Sequence, residues 1–82
     1  MTAERVQEIL EDFTTKIAER LDPDQLDGPV RVDPTRSYVL LTVKGRGPIH
    51  IPTRHHIDDE GVEAVMRQIA MVPSLKSLVK EG

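Results

Sequence analysis

Apolar residues recur along this chain with two different periods, and each change of period marks a new element. From residue 3 to 21, Val6, Ile9, Leu10, Phe13, Ile17 and Leu21 fall on one stripe of an amphipathic helix. Thr2 suits the N-cap, and Glu4 lies in the first turn, where the helix dipole favours an acid. Pro23 ends the pattern by removing a backbone donor. From residue 30 the period falls to two. Tyr38-Val39-Leu40-Leu41-Thr42-Val43 is rich in β-branched and aromatic residues, with turn formers on both sides. Beyond residue 57 the helical period returns with Val62, Val65, Met66 and Ile69. Asp58 suits the N-cap of this second helix, Asp59 and Glu60 suit its positive start, and Ile57 and Val62 have the spacing of a hydrophobic staple. The pattern runs to Met71 and breaks at Pro73, after which Ser74 is placed to cap a short final helix carrying Leu75, Leu78 and Val79.

The extended stretch predicts three antiparallel strands. With Gly45-Arg46-Gly47 as a three-residue loop, Val43 faces Ile49 and Leu41 faces Ile51. A two-residue loop flips every side chain of the third strand, so the apolar match favours three. Asp33-Pro34-Thr35-Arg36 has the composition of a type I turn, which pairs Val32 with Ser37 and Val30 with Val39. One face then carries Val30, Val32, Val39, Leu41, Val43, Ile49 and Ile51, and is read as the core. The same register places Arg31 beside Tyr38 and Tyr38 beside Arg54 on the opposite face, with Leu40, Thr42 and His50 nearby.

The predicted fold is therefore α+β, in the order α-β-β-β-α-α: a helix, a three-stranded meander, a second helix and a short C-terminal one. The two long helices are expected side by side on one sheet face. At 82 residues this makes a single small domain. A chain of this size buries only roughly 60% of its unfolded surface. It has no cysteine, and its only aromatics are Phe13 and Tyr38. Homodimerisation is a common remedy for so thin a core and is expected here. The opening Met1-Thr2-Ala3-Glu4-Arg5 is charged and no long apolar run follows, so nothing resembles a signal peptide or membrane span and a cytoplasmic protein is expected.

The formal net charge of −3 is modest, but it is unevenly spread. Eight acids lie between Glu4 and Asp27, none between Arg36 and His56, and Asp58-Asp59-Glu60 restores the negative sign. The acid-free band carries Arg36, Lys44, Arg46, Arg54 and all three histidines. Exposed sheet faces are usually plainly polar. Here Arg31, Tyr38, Leu40, Lys44, Arg46, His50 and Arg54 make the strongest candidate for a partner-binding surface, because arginine and tyrosine are favoured at interface hot spots and also stack on bases.

Other chemistry finds simpler explanations. His50, His55 and His56 could form a metal cluster only by converging at about 2 Å from one ion, and strand alternation opposes that. Asp22, Asp24 and Asp27 lack the spacing and terminal Glu of an EF-hand, and turn chemistry accounts for them. Gly45-Arg46-Gly47 lacks the Walker pattern and is what a hairpin needs. No motif links a nucleophile to a base, so no enzyme, no cofactor and no small-molecule substrate is expected.

In element order the chain resembles the double-stranded-RNA-binding fold, a helix, three strands and a helix. That resemblance implies lysines gripping phosphates at the start of the second helix, where this chain has Asp58, Asp59 and Glu60. The expected function is thus a non-enzymatic interaction or regulatory protein, binding another protein or itself through the open sheet face or a strand edge. The alternative is nucleic-acid binding along the basic band around residues 31–56.

Overall fold

The computed structural model describes residues 2–53 and 57–80. Its elements are α1 (Ala3–Glu19), β1 (Arg31–Asp33), β2 (Tyr38–Val43), β3 (Gly47–Pro52) and α2 (Asp59–Met71), with 3₁₀ turns at Pro23–Gln25 and Lys76–Leu78. The sheet order is β1-β2-β3, antiparallel throughout. This is the predicted α+β order, with both helices against one face of the sheet. No described helix is long and apolar enough to cross a membrane.

The helix starts follow the sequence. The Thr2 hydroxyl accepts the Arg5 amide at 3.1 Å, and the Asp58 carboxylate accepts the Gly61 amide at 3.0 Å. Each satisfies a donor that the first turn leaves without a partner. Ile57, just before the second cap, packs against the core that contains Val62. The ends differ from expectation. α1 stops at Glu19, and the fully buried Leu21 leaves the helix to bridge with Val79. The expected final helix is reduced to the 3₁₀ turn, and Ser74 does not cap it. The segment is too short to repay helix nucleation. Its Leu75 and Leu78 are buried three residues apart, the spacing that a 3₁₀ turn aligns.

Strand β2 alternates half-buried and buried residues along its whole length. Val39 and Leu41 are fully buried, and Val43 nearly so. They meet Phe13 and Ile17 of α1 and Val62, Val65, Met66 and Ile69 of α2 in one apolar cluster, closed at its far end by Leu75 and Leu78. Among the described residues no polar or charged side chain is buried.

Both hairpins differ in register from the prediction. Leu41, not Val43, faces Ile49, and Val39 faces Ile51. On the other side Val32 faces Val39, and Tyr38 faces Asp33. Each pairing has slipped by two residues, which keeps every side chain on its predicted face. The causes are local. The Arg46 amide closes a turn onto the Val43 carbonyl, with Gly45 at φ 78°, the conformation a type II turn needs at its third residue. Gly47 is also at φ 78°, so the apex sits one residue earlier than expected. At the first hairpin the Asp33 carboxylate takes the amides of Thr35 and Arg36, and Ser37 adopts φ 57°. That lengthens the loop to Pro34-Thr35-Arg36-Ser37 before pairing begins. Residues 25–27 also extend the β1 side of the sheet. The Asp27 amide donates to Thr42 at 2.8 Å, and the Gln25 carbonyl accepts from Lys44 at 3.0 Å.

The two helices run parallel. Lys16 pairs with Asp59 at 2.6 Å, and one turn further on Arg20 pairs with Glu63. The start of α2 is therefore level with the late part of α1, and the first half of α1 projects beyond it. The molecule measures 38 × 25 × 22 Å.

Candidate interaction surface

Alternation along β2 sends Tyr38, Leu40 and Thr42 to the face opposite the helices, all three half-buried. Leu40 is flanked by Arg31 on β1 and His50 on β3, making a row of three across the sheet. Tyr38 lies diagonally from His50, and their rings meet edge to face with centroids 4.6 Å apart at 86°. Such aromatic contacts contribute about 0.5–1.5 kcal/mol beyond burial alone. Arg31 and His50 are exposed. A hollow of about 310 Å³ opens between Arg31, Tyr38 and Leu40 at the β1 edge. No described helix or turn covers this face, because Leu75 and Leu78, which could have led the last segment over it, enter the core on the other side.

The structure thus brings together Arg31, Tyr38, Leu40 and His50, and separates Lys44 and Arg46 from them. Both of these sit in the turn between β2 and β3. Lys44 is exposed there. Arg46 reaches to the helix layer and donates to the Ser74 carbonyl at 2.5 Å. Arg54 lies outside the described residues, as do His55 and His56 of the histidine cluster. The place opposite Tyr38 that the sequence assigned to Arg54 belongs to Pro52, and the place beside it assigned to Arg31 belongs to Asp33.

Three members of this surface were missed. Pro48 and Pro52 share the outer face with His50 by simple alternation, a signal that the apolar count passed over. Asp33 brings an acid onto the face, but its carboxylate is held by the turn amides at 3.0 and 3.1 Å and lies 3.9 Å from Arg36. Arg31 forms no ion pair among the described residues. The face is aromatic and aliphatic at its centre, with Arg31 at one edge and His50 at the other.

The sheet's two edges differ. β1 is three residues long, and β3 is six, with proline at its second and last positions. Proline carries no amide donor, so Pro48 and Pro52 shorten the run with which another strand could pair. The Gln68 side chain further occupies the Pro52 carbonyl at 2.7 Å. Among the described residues no cluster of three or more potential metal ligands forms.

Compared with protein-family models, curated proteins and solved structures, the chain matches none. The geometry defines its class: a small α+β protein with one sheet face covered by parallel helices and the other open. Element order alone does not carry function to it.

Proposed function

We propose that this protein is a non-enzymatic interaction module that binds another protein through the open face of its sheet. The observation that carries the reading is the Tyr38–His50 pair set beside Leu40 and Arg31 on a face that no described element covers. Tyrosine and arginine anchor interfaces because they bury a large apolar body and keep a polar tip. The cytoplasm is the location that goes with this reading.

Size bears on the kind of partner. Strands about 4.8 Å apart and six residues of about 3.4 Å each give the face a footprint of roughly 300 Å². A stable protein pair buries about 800 Å² per partner. A second copy pressed face to face falls short of that, whereas a loop or short segment of another protein does not need it. The prolines of β3 argue for docking on the face rather than pairing along that edge.

Nucleic-acid binding is the competing reading, favoured by the exposed Lys44 and Arg31 in a stretch with little acid. It is opposed by the diversion of Arg46 to Ser74 and by the acids opening α2. The test is affinity capture from a lysate of the natural source, with and without nuclease, using wild type and the Tyr38→Ala/Leu40→Ala double variant. The expected result is a specific protein retained in both nuclease arms and lost with the folded double variant. Retention by that variant, or loss of the retained material on nuclease treatment, overturns the proposal.

A further inference from the structure

The large apolar side chains left exposed among the described residues are Val6, Met71 and Val72, at 40%, 81% and 39% of full exposure. They lie at opposite ends of the molecule. Val6 is in the part of α1 that projects beyond the start of α2, and Met71 is in the part of α2 that continues past the end of α1. At about 1.5 Å per residue the two are roughly 33 Å apart along the helix axes. That is most of the 38 Å long dimension.

The ends are opposite in charge. From Ala3 to Asp12 there are four acids, of which Glu8 is paired with Arg5 and Asp12 with Lys16, both at 3.2 Å, leaving Glu4 and Glu11 without an ion pair among the described residues. From Ala64 to Lys80 there are three bases, Arg67, Lys76 and Lys80, and no acid, with Glu81 next in the sequence. Arg67 lies one turn before Met71 on the same side of α2. Lys76 and Lys80 line a hollow with Ala70, Pro73 and Val79. Asp22 lines it too, so the hollow sets two bases against one acid. Ala70-Met71-Val72-Pro73 is a run of four exposed apolar residues, a pattern that surfaces avoid unless it is used. The opposite end is also incompletely covered, with Ile9 and Leu10 only half-buried behind Val6.

We propose that these ends are the two halves of one interface, and that the acidic α1 end of one copy docks on the basic α2 end of a second. Like ends repel, so charge selects the head-to-tail arrangement over either symmetric dimer. A head-to-tail contact leaves one free end at each side of the pair and extends into a ring or an open chain. This inference is independent of the sheet face, which the contact leaves free.

The test is sedimentation equilibrium up to millimolar protein. Wild type is expected to rise with concentration above its 9.2 kDa monomer mass, and to fall back toward it at high salt. Val6→Glu and Met71→Glu, each changing one exposed side chain, are each expected to remain at the monomer mass, with circular dichroism confirming the fold. An equimolar mixture of the two retains one good head and one good tail, so its mass is expected to double and go no further. A wild type that stays monomeric, a single variant that associates like wild type, or a mixture that stays monomeric while wild type associates overturns the proposal.

Discussion

Leu40 and Leu41 are adjacent, identical in chemistry and part of the same strand, yet they live in different environments. Leu41 is fully buried beneath both helices, while Leu40 is half-exposed on the other side, between Arg31 and His50. The face that holds the fold together is wholly apolar. The opposite face keeps an apolar centre that the fold does not need, and rims it with polar groups. Large contiguous apolar patches left outside the core often mark interaction sites, which is the ground of the proposal made for this face.

The contrast is sharpest by substitution. Leu41→Ala opens a cavity under both helices and is expected to cost about 2–5 kcal/mol, a large share of the total for a small domain. Urea denaturation measures it directly. Asp58→Ala removes the cap that starts α2 on the covered side, and is expected to cost about 1 kcal/mol. Leu40→Ala removes the same atoms as Leu41→Ala but is expected to cost under about 1 kcal/mol, because much of the side chain is already in water. A Leu40→Ala loss as large as that of Leu41→Ala breaks the comparison and makes the outer face part of the core.

The smallest expected effect is at Lys16. Hydrogen bonds that its ammonium donates to Asp59 and then to Asp12 raise its pKa above the ordinary lysine value of 10.5. A raised lysine pKa stabilises the fold below the unfolded value and loses that contribution as pH climbs through the folded one. Lys16→Met is therefore expected to lower the thermal midpoint slightly at neutral pH and low salt. The difference from wild type should vanish above the folded pKa and in high salt, since the pair is exposed.

Much of this arrangement was legible in the sequence, for a definite reason. Val39, Leu41 and Val43 alternate with Tyr38, Leu40 and Thr42, and alternation fixes faces whatever the register. It does not fix partners, because a slip of two residues leaves the apolar match nearly as good. The partners are set by Asp33 holding two amides, by Ser37 and Gly45 in left-handed conformations, and by residues 25–27 pairing with the end of β2. Helical spacing likewise put Val6 on the same stripe as Phe13. It could not report that Val6 overhangs, because that depends on where α2 begins relative to α1. The exposed run after Ala70 was hidden by the same dependence on helix offset.

The clasp between Leu21 and Val79 has a consequence for how the molecule breathes. The Asp22 amide donates to the Leu78 carbonyl at 2.8 Å, and the Lys80 amide donates to the Arg20 carbonyl at 2.9 Å. The two donors lie far apart in sequence, but they are released by one event, the peeling of the last turn from the end of α1. In deuterated buffer both should exchange with the same opening free energy, and ahead of the β2 amides beneath them. The clasp thus ties the end of the first helix to the last described residues as a single local unfolding unit.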